Sequence, residues 1–306
     1  MQSLRHNASK TRPIRRGADE QVRQIYRKLA QAWGAQHWWP AESPFEVIVG
    51  AILTQNTSWT NVERAMARLR EAGVLTLEQI RNIPLAELET LIRSSGYFRQ
   101  KARRLKDFVA FVDAKYAGSL EQMFATPSDE LRSELLAQKG IGMETADSIL
   151  LYAGLHSVFV VDAYTRRVLE RHGVVNGPAK YDEIRLLVER ALVEEGVPGP
   201  VSADATHPKS GDAWNTREEF GVVQRPVVHA PSTMSAAQQS KLTRVYNEMH
   251  GLLVQLGKHY CHKQRPECDV CPLGELLSPR QRAGLQVAPV RLAGEEDRKR
   301  RGIQVA

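Results

Sequence analysis

The stretch Leu131–Arg171 constrains this chain more than any other: LRSELLAQKGIGMETADSILLYAGLHSVFVVDAYTRRVLER. Leu131, Leu135 and Leu136 share one face of a helix over 131–138. Gly140 and Gly142 bracket Ile141, and two glycines so close predict a tight turn whose backbone angles a Cβ would resist. Glu144–Tyr152 then restarts a helix, with good helix formers and an acidic residue in the first turn. Unpaired N–H groups at such a hairpin, and at the start of its second helix, offer an anion site. With Lys139 beside it, that site suits a phosphodiester better than a small carboxylate. An apolar connector then leads to Asp162, which opens a further helix over Ala163–Arg171.

Within this stretch Gln138–Ala146, QKGIGMETA, resembles the helix-hairpin-helix of the endonuclease III superfamily of DNA glycosylases. Val160-Val161-Asp162 resembles the catalytic aspartate segment of the same family. A lone Gly-x-Gly turn is common, but the pair of motifs is specific. The resemblance implies an all-α fold, with two helical domains flanking a cleft for double-stranded DNA that contains a damaged base. It makes Lys139, Gly140, Ile141 and Gly142 DNA-binding residues. It makes Asp162 the carboxylate that stabilises positive charge on the sugar as the N-glycosidic bond breaks. An aspartate after an apolar segment is also an ordinary N-cap, and the two roles are compatible because capping fixes the carboxylate's direction. Tyr164, two residues on, is expected either to order water or sugar or simply to pack.

Bifunctional members carry a lysine two residues after the hairpin's second glycine; here that residue is Glu144. A carboxylate cannot form a Schiff base. The implied activity is therefore a monofunctional DNA glycosylase of base-excision repair, rather than a glycosylase/AP lyase acting on oxidised pyrimidines. A DNA-binding module without catalysis is a third reading, and it would need neither Asp162 nor the residues that follow.

His37-Trp38-Trp39-Pro40 on its own reads as a hydrophobic plug over a helix end. Taken with Leu53–Trp59, LTQNTSW, it resembles the endonuclease III-type 3-methyladenine glycosylases, whose aromatic residues line the base pocket. Trp38, Trp39, Pro40 and Trp59 then become a stacking box for a flipped base, with an alkylated purine as substrate. Gln55 becomes the side chain that fills the gap in the duplex. The helix over Arg99–Phe111 carries Arg99, Lys101, Arg103, Arg104 and Lys106 against Asp107 alone. A charge run is usually a solvated face, but by family position Arg99, Lys101 and Arg103 are expected at the phosphates.

The 306 residues carry a net charge of +7, yet residues 1–17 hold +5 and residues 278–306 hold +4. The intervening residues are thus slightly acidic, at −2, so a DNA face on the body must come from local clustering. The expected organisation is a disordered basic arm at 1–17 and a helical barrel with the hairpin at 41–158. Residues 18–40 and 159–277 would form the aspartate and cysteine-loop domain, with a flexible insertion at 196–231 and a disordered basic tail at 278–306. The absence of a long apolar run implies no membrane partner and a cytoplasmic, nucleoid-associated monomer. Cys261, Cys268 and Cys271 follow the spacing of the first three ligands of a family [4Fe–4S] loop. The fourth position is Leu277 and no other cysteine exists, so a cluster with another ligand, a zinc site using His259 or His262, and a metal-free relic all stay open.

Overall fold

Serine caps and prolines set many of the helix boundaries. Ser43 accepts the Glu46 N–H at 3.2 Å with Pro44 at the first helical position, and Ser240 accepts the Thr243 N–H at 3.0 Å. Pro84 divides an apolar-periodic segment into two short helices. In the computed structural model, which describes residues 14, 16–193 and 232–286, the helices are α1 (Ala18–Trp33), α2 (Pro44–Leu53), α3 (Trp59–Glu71), α4 (Leu77–Asn82), α5 (Leu85–Leu91), α6 (Phe98–Tyr116) and α7 (Leu120–Phe124). They continue with α8 (Ser128–Ala137), α9 (Met143–Ser148), α10 (Ala163–Arg171), α11 (Tyr181–Val193), α12 (Thr233–Ala236), α13 (Lys241–His259) and α14 (Pro279–Gln286). The fold is all-α; among the described residues the only β-type pairing is a single antiparallel bridge between Ile14 and Val175.

Two helices are buried on nearly every side and carry the site. All of α2 from Phe45 to Leu53 is buried, including Glu46, and α13 is buried from Val245 to Gly257. A helix apolar all round belongs in a core. Around them, α1 turns Val22, Ile25, Tyr26 and Leu29 inward and packs on α11 and α13. α10 lies along α13, while α2 packs against α6 and α9.

Three expectations need correction. The hairpin's second helix does not run regularly to Tyr152: after α9 the chain makes a π turn over Ile149–Ala153. Such a turn inserts an extra residue per turn, which no propensity signals. Residues 278–306 are not all tail, because Pro279–Gln286 is α14. Ser278 and Gln281 cap each other there, the Gln281 N–H donating to Ser278 Oγ and the Ser278 N–H to Gln281 Oε1. The arm at 1–17 is likewise tied at Ile14. The insertion at 196–231 and the remainder of both termini lie outside the described residues.

One buried ion pair fastens the hairpin to its surroundings. Asp147 of α9 is fully buried and accepts Arg132 Nε of α8 at 2.6 Å, while Arg132 also reaches Asp182 of α11 at 2.9 Å. Removing one partner of a buried pair leaves an uncompensated charge, at a cost of about 3–5 kcal/mol. Arg132→Met should therefore lose about that much stability in urea unfolding, whereas exposed Arg103→Met should change it by less than about 0.5 kcal/mol.

Candidate active site

The main cleft of the molecule, about 910 Å³, opens where α2, the hairpin, α10 and α13 meet. Asp162 stands in its wall. The residue is extended, and its Oδ1 accepts the Thr165 N–H at 2.7 Å, so the carboxylate caps α10. The free N–H groups and dipole of a helix start favour a negative group there. The connector that delivers Asp162 is buried and held from two sides. The Phe159 N–H donates to Glu189 at 2.9 Å, and the Val161 N–H donates to Tyr181 Oη at 3.2 Å. Tyr164 also lines the cleft, its ring lying so close over Gly257 that a Cβ there would meet it at 2.1 Å.

Trp38, Trp39 and Trp59 form the cleft's aromatic wall. Trp39 meets Trp59 edge-on at 5.0 Å and Trp38 at 5.8 Å. Trp38 and Trp39 are buried, while Trp59 is half-exposed and presents the accessible ring. Pro40 is not part of this wall. It lines a smaller cavity behind it, with Glu46 and Arg70, because the backbone after Trp39 turns away from the cleft.

The hairpin is at the cleft mouth. Gly140 adopts φ +85°, where an L side chain would be strained, and a Cβ would strike Arg104 Nε at 2.2 Å. Gly142 departs from expectation: its φ of −94° is ordinary and its surroundings are open. Its contribution is an unobstructed start to α9. Ile141 is buried and anchors the turn, while Lys139 is exposed beside it. Gln55 does not project freely but folds onto the hairpin. Its Nε2 donates to Gly140 O and Thr145 Oγ1, both at 2.9 Å, and Arg104 Nη1 donates to its Oε1.

The basic run on α6 divides by face. Arg99 and Arg103 are exposed, but Lys101 is fully buried, so its expected phosphate contact is corrected. Its Nζ donates to Leu53 O at 2.8 Å and Ser95 O at 2.7 Å, and burial draws its pKa down to about 8. Leu53 ends α2, whose last carbonyls lack helical partners and attract a cation. A helical period places residue 101 opposite the exposed residues 99 and 103, and the apolar neighbours Ala102 and Leu105 already marked that side.

Four cleft residues escaped motif reading: Arg104, Glu144 as a titrating group, His250 and Lys258. The cleft walls withhold water from Glu144 and, with Asp162 adding repulsion, push its carboxyl up to about 7 even though the residue keeps contact with solvent. Burial lowers the Lys258 pKa, opposed by attraction to Glu63 and Asp162, and its Nζ lies 5.4 Å from the Trp38 ring centroid. His250 is buried on α13 with Nε2 3.7 Å from Asp162 Oδ2. These residues sit in unremarkable helical contexts, so only tertiary packing brings them together.

The three cysteines converge away from the cleft. Cys261, Cys268, Cys271, His172 and Leu277 border one small cavity, and Leu277, at the sequence position of the fourth cysteine, offers no donor. Arg171 Nη1 donates to Cys261 Sγ at 3.1 Å, and burial pushes the Cys271 thiol up to about 12. His262 is turned outward toward Glu267. Three thiols and a leucine do not fit a four-ligand cluster, and among the described residues no three acidic, histidine or cysteine side chains are grouped to hold a metal.

Comparison with known proteins agrees with this geometry. Residues 49–193 match the model of the HhH-GPD superfamily base excision DNA repair protein. A proposed DNA repair glycosylase of Methanocaldococcus jannaschii is 40% identical over 258 residues, 84% of this chain and 95% of that relative. The crystal structure of an H. pylori 3-methyladenine DNA glycosylase bound to 1,N6-ethenoadenine superposes with a TM-score of 0.57 at 26% identity, covering 79% of this chain and 97% of that one. An endonuclease III trapped covalently on DNA shares the fold, with a TM-score of 0.58 at 21% identity over 87% of this chain and 98% of the other. The chain belongs to the HhH-GPD superfamily of base-excision repair proteins, as a DNA glycosylase of the endonuclease III type.

Proposed function

We propose that this protein is a monofunctional DNA N-glycosylase that releases alkylated purines and leaves an intact abasic strand. One observation carries the reading: a capped carboxylate, Asp162, faces a tryptophan wall, while the position of the family's lysine is taken by Glu144. Breaking the N-glycosidic bond builds positive charge on the sugar, and a fixed carboxylate in a water-poor cleft stabilises that charge strongly. The hairpin, Lys139, Arg99 and Arg103 hold phosphates, and the flipped base stacks on the exposed ring of Trp59. Gln55, once its bonds to Gly140 and Thr145 are exchanged, fills the vacated stack.

An alkylated ring nitrogen makes a purine electron-poor and a good leaving group, so the chemistry asks for aromatic faces more than for a strong acid. The likeness to the H. pylori 3-methyladenine enzyme supports the same substrate class. Lys258 already covers Trp38, which leaves Trp59 as the stacking face. Lys258 also favours a second reading: an amine with a lowered pKa inside the cleft could attack the sugar as a nucleophile and give lyase activity.

The reading is tested on a panel of duplexes that each carry one lesion, followed by single-turnover release of free base. 3-Methyladenine should be released well ahead of thymine glycol, and Asp162→Asn should slow release by at least ~10²-fold while still binding an abasic analogue. Efficient release of thymine glycol alone, or a normal rate for the variant, would contradict it.

Glu144 provides a stability test with a definite sign. Its folded-state pKa of about 7 lies above the usual carboxylate value, so the folded protein loses stability as pH rises from about 4.5 through about 7. Glu144→Gln should therefore match wild type in thermal midpoint near pH 4.5 and exceed it above pH 7. Equal midpoints at every pH would remove the raised pKa from the account.

A further inference from the structure

The Asp162 carboxylate has two oxygens and two environments. Oδ1 is committed to the Thr165 N–H, whereas Oδ2 is on the side of His250. His250 Nε2 lies 3.7 Å from Oδ2, one short adjustment from hydrogen-bond range. That nitrogen is buried and has no other hydrogen-bond partner. A buried polar nitrogen left unmade costs free energy, so its aim at Asp162 calls for a reason.

The other side of the ring supplies one. Tyr152, on the π turn, is fully buried, and burial raises its pKa well above the ordinary value, so it stays a phenol. Its oxygen is in hydrogen-bond contact with His250 Nδ1. A buried hydroxyl proton is given to a partner, and for Tyr152 that partner is Nδ1. The phenol's single proton is then directed at Nδ1, which must be unprotonated to receive it. By elimination the imidazole proton resides on Nε2, the atom turned toward Asp162.

We propose that His250 is a positioning residue that holds Asp162 Oδ2 through a neutral Nε2–H donor, its tautomer set by Tyr152. The proposal rests on the reading of Asp162 as the carboxylate that acts on the sugar. Neutrality matters to the role. A neutral donor fixes the oxygen without cancelling the charge that the reaction needs, whereas an imidazolium would form an ion pair with it. Burial lowers the His250 pKa while Asp162 opposes that shift, and the ring is flanked by Phe159 at 6.2 Å. Glu144 from α9 and Lys258 from α13 are the other titratable side chains lining the cleft near this chain of bonds, together with Tyr164 and Tyr181. The arrangement also ties the base wall to the carboxylate, because the Trp39 ring packs on Tyr152 with centroids 5.2 Å apart and Tyr152 bonds His250.

Two measurements test this. Long-range 1H–15N spectra of histidine-labelled protein without DNA, with His250 assigned by its disappearance in His250→Gln, should show a neutral ring protonated at Nε2 at pH 7. Tyr152→Phe should convert it to a mixture of tautomers. A ring protonated at Nδ1, or an imidazolium, would overturn the proposal whether or not any base is excised. In single-turnover excision, His250→Phe should slow release by at least ~10-fold, the scale of one lost hydrogen bond to a charged group. His250→Gln, whose amide donates from the Nε2 position, should recover most of that rate, and abasic-duplex affinity should be unchanged in both. A His250→Gln rate far below wild type in a folded protein refutes the role, even if His250→Phe fails to fold. Wild-type protein that releases no base refutes the functional reading instead, and leaves the tautomer measurement standing as the decision on His250.

Discussion

The 2.7 Å hydrogen bond from the Thr165 N–H to Asp162 is the contact on which the rest of the site depends. It aims one carboxylate into a cleft walled by indoles and holds it at a helix start, where negative charge is favoured. The surrounding fold serves that placement. The connector before Asp162 is apolar and buried, its N–H groups are taken by Glu189 and Tyr181, and α10 is laid along the buried helix α13. A carboxylate so fixed needs no reorganisation when charge develops on a sugar, which is the physical content of electrostatic preorganisation.

The cleft brings several titratable groups together. Asp162 and Glu144 repel each other, and the raised Glu144 pKa relieves that repulsion by keeping a proton close to neutrality. Lys258 and His250 approach the same carboxylate with depressed pKa values, opposed in both cases by their attraction to it. Neither Lys258 nor His250 belongs to a recognisable local motif. Together they set the charge that a base and sugar entering the cleft would meet.

The fold and the centre of the site were legible in the chain because they rest on local chemistry. The Gly140 turn, the N-cap at Asp162 and the tryptophan pair are short patterns with physical consequences, and each lies at the cleft or its mouth. Long-range packing was not legible. The π turn at Ile149–Ala153 leaves no compositional trace, yet it carries Tyr152 to His250. Lys101 looked like one more cation in a basic run, but the helical period turns it inward to the end of α2. Gln55 was read as the side chain that fills the gap in the duplex, and its bonds to Gly140, Thr145 and Arg104 carried no signal in the sequence. The cysteine spacing matched a cluster loop, while Leu277, at the sequence position of the fourth cysteine, supplies no donor.

The proposed hydrolysis relies on Asp162, in a cleft that Glu144 also lines. The most direct test incubates the protein with a duplex bearing a single alkylated purine in the presence of borohydride, then resolves protein, strand and free base together. Free base, a strand that breaks only on alkali treatment, and no protein–DNA adduct are the predicted result. A borohydride-stable adduct that disappears in Lys258→Arg would contradict it and assign the amine chemistry to Lys258.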